Sequence, residues 1–313
     1  RISKTNHLFL DSFKLNNGRN VKIQISGDLS ERILNLSIYG EMIDLSMNKV
    51  SANRKVKDHY LSKENYRINT EEAIFAGGVR VIDFNAGISK QGELLSVNSR
   101  ASINDQTLDY SREKNEKFDI NLISSSDITY FVNNTHPAKK LLSDGELNMK
   151  SVRDLSTMNA KVDIDLKDFV LINTPASLKI LSIPSISGLV GIAEGEEGIR
   201  FGYGQISYTE SDKNFKDIDA FAVSDSIGLV MEGEIQREES MVDMSGEISP
   251  MHLVNAIIQN VPILGPIIIG NEGEGLFSID FSLKGDVDDP EVSSNPLTII
   301  KPRIIERALE ALS

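Results

Sequence analysis

The chain has 313 residues, 40% of them hydrophobic and 25% charged, so it can form one large domain or two ordinary ones and can bury a core. Its 33 Lys and Arg stand against 46 Asp and Glu, and the net charge of −13 argues against nonspecific binding to nucleic acid or to an anionic membrane surface. The absence of Cys excludes disulfides, thiolate nucleophiles and cysteine-based metal sites.

The dominant hydrophobic period is two, which indicates strands with one apolar and one solvated face. Apolar and polar residues alternate over five stretches: 21–25, 34–38, 118–122, 162–166 and 277–283. We expect the apolar residues of all five stretches to face inward and to form one continuous apolar surface. A second pattern, Gly followed by an acidic and then an apolar residue, recurs seven times, beginning at Gly27, Gly40, Gly92, Gly145, Gly233, Gly246 and Gly285.

Because Gly favours tight turns, we interpret this recurring unit as the hairpin turn of a long antiparallel meander. The alternative is that turns simply favour Gly beside an acid.

The main polar interruption of the strand pattern lies at residues 48–66, which are rich in Lys and Arg. We interpret it as a solvated loop, the alternative being a basic surface that meets an anionic lipid or partner.

Helical signals are few. Ser126 and Asp127 are suited to cap a short helix that runs to Asn134. Amphipathic segments with apolar residues at three- and four-residue steps lie at 176–181, 184–193, 251–260 and 304–312. The chain is therefore expected to be mainly β, with a β-meander segment at 1–173 and a mixed region of helices and strands at 174–313.

The sequence shows no recognised catalytic motif. It lacks a Gly-x-Ser-x-Gly elbow, a phosphate loop and a His-Glu-x-x-His motif, and its four His are not spaced as metal ligands. Residues 286–290 carry three Asp but too few ligands for a calcium loop, and we interpret them as a turn. We therefore expect no catalytic residue, no cofactor and no metal, although a triad dispersed along the chain remains an alternative.

The segment at 261–270 is very apolar, but Pro262 and Pro266 break it and it is too short to span a bilayer. One interpretation is a buried connection between a helix and a strand. The other is that residues 251–270 line an apolar cavity or dip into a membrane interface, as a membrane-proximal or groove-capping element.

Several short blocks after residue 175 agree in order and spacing with one protein family. They include 178–190, with its leucine-rich turn and Ser-x-x-Gly-Leu, the strand entry at 195–201, the segments 261–265 and 272–277, and Asn295-Pro296-Leu297. These blocks resemble the AsmA-like family, most closely its YhdP-type branch. One departure is that Lys301-Pro302-Arg303 stands where the family usually has Pro-Gly before an Arg.

The resemblance implies a curved antiparallel β-sheet groove with an apolar inside and a few amphipathic helices in the C-terminal half. It also implies non-enzymatic transport of phospholipid across the periplasm of a Gram-negative bacterium, towards the outer membrane. The partners would be phospholipid acyl chains, the inner membrane and the outer membrane. No nucleic acid is expected.

The chain starts at Arg1 with neither an initiator Met nor a signal peptide, so we expect it to be a piece of a longer protein. The resemblance implies that it is the C-terminal part and that the missing part holds the inner-membrane anchor. The candidates for lining the lipid path are apolar: Leu178, Leu181, Leu189, Phe201, Leu253, Ile257, Ile263, Ile267, Ile268 and Phe277. Two other functions remain open, namely an envelope assembly factor that holds a polypeptide strand in the same groove, and a hydrolase on a β scaffold.

Overall fold

A computed structural model describes residues 7–10, 13–14, 20–21, 23–46, 61–75, 79–129, 142–172, 198–225, 227–250 and 278–298. Within these ranges the chain is almost entirely β, which confirms the predicted fold class at that level. The chain divides into two compact units: unit 1 is Arg1–Asn134 with Asn148–Thr157, and unit 2 is Thr135–Leu147 with Met158–Ser313. The predicted boundary at residues 173 and 174 lies outside the described residues.

The first ten strands lie in unit 1: β1 (His7–Leu10), β2 (Phe13–Lys14), β3 (Asn20–Val21), β4 (Ile23–Ser30), β5 (Ile33–Asp44), β6 (Lys63–Ile74), β7 (Arg80–Gln91), β8 (Leu94–Ile103), β9 (Gln106–Lys114) and β10 (Phe118–Ser125). They are followed by β11 (Leu142–Ser143) of unit 2 and by β12 (Glu146–Asp154), which belongs to unit 1 from Asn148 onward. The later strands lie in unit 2: β13 (Ala160–Ile172), β14 (Gly198–Glu210), β15 (Asn214–Val223), β16 (Ile227–Gln236), β17 (Met241–Pro250), β18 (Ser278–Asp286) and β19 (Glu291–Thr298).

The main sheet of unit 1 has the strand order β1-β4-β5-β6-β7-β8-β9-β10-β12, and β2 pairs with β3. From β1 to β10 neighbouring strands run antiparallel, except that β5 and β6 are parallel. A parallel pair needs a crossover of about a dozen residues or more, and residues 45–62 supply it. The predicted meander is therefore interrupted here. The predicted loop at 48–66 is wrong for its last four residues, 63–66, which belong to β6.

Unit 2 has the strand order β11-β13-β14-β15-β16-β17-β18-β19, and the register is antiparallel between successive strands from β13 to β19. The strands β13 to β19 thus form a meander, most of which lies after residue 173, where the sequence predicted a mixed region of helices and strands. Its strands bury most of the alternating apolar positions predicted at 162–166 and 277–283, namely Val162, Leu166, Ile279, Phe281 and Leu283, whereas Ile164 is half-buried. Within the stretch 277–283, Phe277 lies outside the described residues.

The stretch 118–122 is a strand, but the prediction that its apolar residues face inward is wrong. Phe118 and Leu122 are 39% and 45% exposed, whereas Asp119 between them is 8% exposed. The reason lies on the neighbouring strand β9, where Arg112 donates two hydrogen bonds to Asp119, at 2.8 and 2.6 Å. This ion pair fixes Asp119 on the buried face, so the alternation places Phe118 and Leu122 on the other face.

Three aspartates lie in the middle of strands with positive φ, at 53° for Asp83, 52° for Asp168 and 51° for Asp217. Asp is one of the few residues that tolerates this left-handed conformation. Each is followed at once by a buried apolar residue: Phe84, Phe169 and Ile218. At Asp83 and Asp217 the register with the next strand also shifts, so these two positions are β-bulges that re-aim the following side chain.

The recurring Gly unit is a turn at only some of its positions. Gly92 and Gly145 lie in connections between strands with φ of 58° and 79°. The other copies lie inside strands, contrary to the prediction: Gly27, Gly40, Gly233, Gly246 and Gly285. Gly246 is needed there because a Cβ at this position would come within 2.2 Å of Cζ of Phe281, whose ring covers it from β18.

The predicted cap at Asp127 is confirmed, since the backbone N–H of Thr129 donates to Oδ1 of Asp127 at 2.8 Å. The helical turn at Ile128 and Thr129 is described, but the rest of the segment to Asn134 is not. The other predicted amphipathic helices also lie outside the described residues.

Replacing Gly246 by Ala should destabilise the protein by about 1–3 kcal/mol, because the new methyl group must displace the Phe281 ring in a packed core. The matched control is Gly202→Ala in β14, where the nearest atom to a new Cβ is the Val223 carbonyl oxygen at 4.0 Å. We expect this control to keep its stability in urea unfolding followed by circular dichroism. Equal unfolding midpoints for the two variants would contradict the packing described at Gly246.

Candidate functional site

The sheet of unit 1 has an apolar face that is only half-buried towards one end of its strands. We define this apolar face by its half-buried side chains: Leu29, Leu34, Leu36, Ile38, Ile88, Leu95 and Val97. The register places them on the same side, because paired residues on neighbouring strands point to the same face. Leu36 is paired with Tyr66, Tyr66 with Ile88, and Ile88 with Val97.

One end of this face is a closed core. Ile68, Ala73, Val81, Phe84, Ala86 and Ala101 form its buried cluster, against which Ile38 and Ile88 pack. The Phe84 ring also meets Phe75 edge to face, with centroids 5.4 Å apart. Towards the turns at residues 31–32 and 92–93, the apolar side chains are no longer fully covered. The apolar face thus continues from a packed core onto a surface that solvent reaches.

The polar side chains on this face bind to one another. The Tyr66 hydroxyl donates to Oε2 of Glu64, and the Lys90 ammonium lies 3.6 Å from Oε1 of the same carboxylate. Burial, and secondarily the hydrogen bond and charge of Glu64, raise the pKa of Tyr66 to about 12, so this phenol stays neutral. The charges of Glu64 and Lys90 therefore lie beside each other between Leu34 and Leu95, where they interrupt the apolar face.

A second polar group marks the β9–β10 side of the same face. Arg112 and Asp119 form a bidentate ion pair, and the Tyr110 hydroxyl donates to Oδ1 of Asn121 at 2.9 Å. The hydrogen bonds from Arg112 hold the pKa of Asp119 below its ordinary value, against the opposing effect of burial. Burial raises the pKa of the Tyr110 phenol. On β9 and β10 the apolar face is therefore bordered by polar side chains that are paired with one another.

Of the predicted lining residues, Phe201 is described and lies in unit 2. It is 1% exposed and stacks on Phe169, with ring centroids 5.5 Å apart and an interplanar angle of 16°. Its burial fits core packing, and its role in lining a lipid path stays a prediction. The other predicted lining residues lie outside the described residues: Leu178, Leu181, Leu189, Leu253, Ile257, Ile263, Ile267, Ile268 and Phe277.

Unit 2 carries a polar hollow of about 320 Å³, whose lining includes Asp163, Asp165 and Asp219. Gln205 donates to Oδ1 of Asp165 at 2.9 Å. In the described part of the chain, no group of His, Asp and Glu side chains is arranged to hold a metal ion. Nor does any helix in that part have the length and hydropathy of a membrane span.

The apolar face of unit 1 was not among the predicted site residues. The alternation at 34–38 identified β5, but Ile88 and Val97 stand in segments where polar residues obscure the pattern. Their proximity depends on the register of four strands, which no local signal specifies. No protein-family model, curated protein or solved structure matches this chain.

Replacing Asp119 by Asn should lower the free energy of unfolding at pH 7 by roughly 1.5–3 kcal/mol, because it removes charged hydrogen bonds from a partly buried Arg. A carboxyl group whose pKa is depressed on folding stabilises the fold above its ordinary pKa and loses this contribution as the pH falls. The difference between wild type and variant should therefore be full at pH 7 and shrink below about pH 4.

Urea unfolding at pH 7 and at pH 3 measures this difference. The control is Asp109→Asn, which breaks the bidentate pair with Arg100 at 2.6 and 3.1 Å. Both of those side chains are exposed, so the loss should be much smaller. A difference for Asp119→Asn that does not change with pH would show that the ion pair is not its cause.

Proposed function

We propose that this chain conveys phospholipid across the periplasm without enzymatic activity, as the C-terminal part of an AsmA-like protein anchored in the inner membrane. In this proposal acyl chains lie on the apolar face of unit 1. The apolar residues predicted at 184–193 and 251–260 stay candidates for lining the lipid path.

The observation that carries the proposal is a group of half-buried apolar side chains on one face of the sheet, in which Leu36, Ile88 and Val97 lie in register with the Tyr66 ring between Leu36 and Ile88. The four strands of this row, β5 to β8, at a spacing of about 4.8 Å, cover roughly 14 Å. This width is similar to the hydrocarbon of one bilayer leaflet, about 15 Å. An acyl chain laid across these strands therefore meets Leu36, the Tyr66 ring, Ile88 and Val97 in turn.

The energetics favour such an occupant. Each CH₂ group that leaves water for an apolar surface contributes roughly 0.8 kcal/mol, so a chain of about 16 carbons gains on the order of 10 kcal/mol before ordering costs. Contacts with Leu36, Ile88 and Val97 are nonspecific and shallow, so a chain can slide from one to the next. The paired groups around Glu64 and Asp119 add little unbalanced charge along this path.

The sequence blocks that resemble the AsmA-like family support the same function, because that family is implicated in moving phospholipid towards the outer membrane. The rival function, an assembly factor that holds a polypeptide strand, would use the same apolar side chains or a sheet edge. Identifying the bound molecule separates the two.

Because the chain has no Cys, a single introduced Cys directs a cross-linker to one chosen face of the sheet. We would label Val97→Cys with a benzophenone maleimide, incubate it with vesicles of phosphatidylethanolamine and phosphatidylglycerol, irradiate it and analyse adducts by mass spectrometry. The matched control is Ser111→Cys, which is also half-buried but lies on the opposite face of the neighbouring strand. We expect phospholipid adducts at position 97 and few at position 111.

Equal labelling at both positions, or no lipid adduct at position 97, would contradict the assignment of lipid to the apolar face. A peptide adduct at position 97 after irradiation of a cell extract, without lipid adducts from the vesicles, would favour the assembly factor instead.

A further inference from the structure

The opposite face of the unit 1 sheet carries a polar hollow of about 370 Å³. Its lining includes Ser37 on β5, Asn65 and Arg67 on β6, Gly87 on β7, and Ser96 and Asn98 on β8. Arg67 stands between Tyr66 and Ile68, which belong to the apolar side, so the alternation along β6 separates the hollow from the apolar face. This volume is within the range of small-molecule sites.

The hollow is open because Gly87 has no side chain. Gly87 lies directly between Arg67 and Asn98 in the register of β6, β7 and β8. A Cβ built at Gly87 meets no atom within 4 Å, so the space above it is open. A larger residue would fit the backbone here and would fill this space.

Arg67 offers a charge that no other described residue pairs with. Among the described residues, no carboxylate forms an ion pair with its guanidinium, and no acceptor binds it. By contrast, Arg100, which lies two residues after Asn98 on β8, donates hydrogen bonds to both carboxylate oxygens of Asp109. A guanidinium group presents N–H donors in a planar fork that matches the oxygens of a phosphate or carboxylate.

A hydrogen-bonded row of side chains forms one wall. Asn35 donates to Oδ2 of Asp28 at 3.2 Å, Asn65 donates to Oδ1 of Asn35 at 2.8 Å, and Ser89 donates to Oδ1 of Asn65 at 3.0 Å. Because these residues are successive partners across β4 to β7, the row fixes their side chains before any ligand binds.

The remaining polar groups of the hollow keep their hydrogen-bonding capacity. Within the described part of the chain, the side chains of Ser37, Ser96 and Asn98 make no hydrogen bond. Hydroxyl and amide groups both donate and accept, which is the complement that a sugar or polyol requires. Together with the guanidinium group of Arg67, these side chains suit an anion that also carries hydroxyl groups.

We infer that this hollow binds a small oxyanion carried on a hydroxylated group, of which a sugar phosphate is the simplest example. Arg67 holds the oxyanion, while Ser37, Ser96 and Asn98 hold the hydroxyls over Gly87. The inference goes beyond the proposed lipid transport, because it concerns the opposite face and does not require an acyl chain.

The test is isothermal titration of the purified full chain with glucose 6-phosphate, alongside glucose and inorganic phosphate as separate ligands. We expect saturable binding of glucose 6-phosphate and at least tenfold weaker binding of the other two. Arg67→Gln should lower the affinity for glucose 6-phosphate at least about tenfold, which is the contribution of one charged hydrogen bond. Arg80→Gln is the control, because it makes the same charge change on unit 1 at a residue paired with Glu72 at 2.7 Å.

A second variant, Gly87→Val, addresses the shape of the hollow. Valine suits a strand, and its Cβ meets no atom within 4 Å, so the thermal unfolding temperature should not fall, while glucose 6-phosphate binding is lost. Wild-type protein that binds none of the ligands would overturn the inference. It would also be overturned if Arg67→Gln and Arg80→Gln weakened binding equally, or if glucose bound as tightly as its phosphate. None of these results bears on the photo-crosslinking at Val97.

Discussion

Alternation of side chains along each strand places half of them on either face, and the apolar face of a sheet must be covered by something. In unit 1 this cover is complete around Phe84 and Ala86 and incomplete around Leu36 and Val97. Apolar surface left in water costs roughly 25 cal/mol per Å². Covering a half-buried apolar face with a ligand is therefore favourable, which supports the lipid proposal. The polar hollow lies on the opposite face of the same sheet, where the polar side chains of the alternation point.

The strands depart from strict alternation at a few specified places. At Asp83 and Asp217 a residue in the left-handed conformation accompanies a register shift, and the next residue turns into the core. At Gly246 the missing side chain admits a ring from the neighbouring strand. These devices let long strands keep their hydrogen bonds while twisting, so that the buried positions stay aligned with the core.

The sequence pattern predicts the strands well, because alternation is a local signal. The stretches at 34–38 and 162–166 lie within strands, and Val162 and Leu166 are buried as expected. Which face is apolar depends on neighbours that are distant in sequence. The stretch at 118–122 faces the other way because Arg112 on the adjacent strand holds Asp119.

The candidate site could be predicted less well than the strands. The apolar face brings Leu36, Ile88 and Val97 together through a parallel pairing of β5 with β6, which a meander pattern does not suggest. The hollow depends on Gly87, whose open surroundings are visible only once three strands are in register. Cross-strand register therefore decides both sites, and single-strand periodicity does not contain it.

In the proposed function, the half-buried apolar face of unit 1 holds acyl chains. The most direct measurement is to purify the full chain without detergent, extract it with organic solvent and identify the bound molecules by mass spectrometry. The account predicts diacyl phospholipid in stoichiometric amount, reduced when Val97 is replaced by Asp. A preparation that is folded and monodisperse yet carries no lipid, or carries a peptide instead, would contradict it.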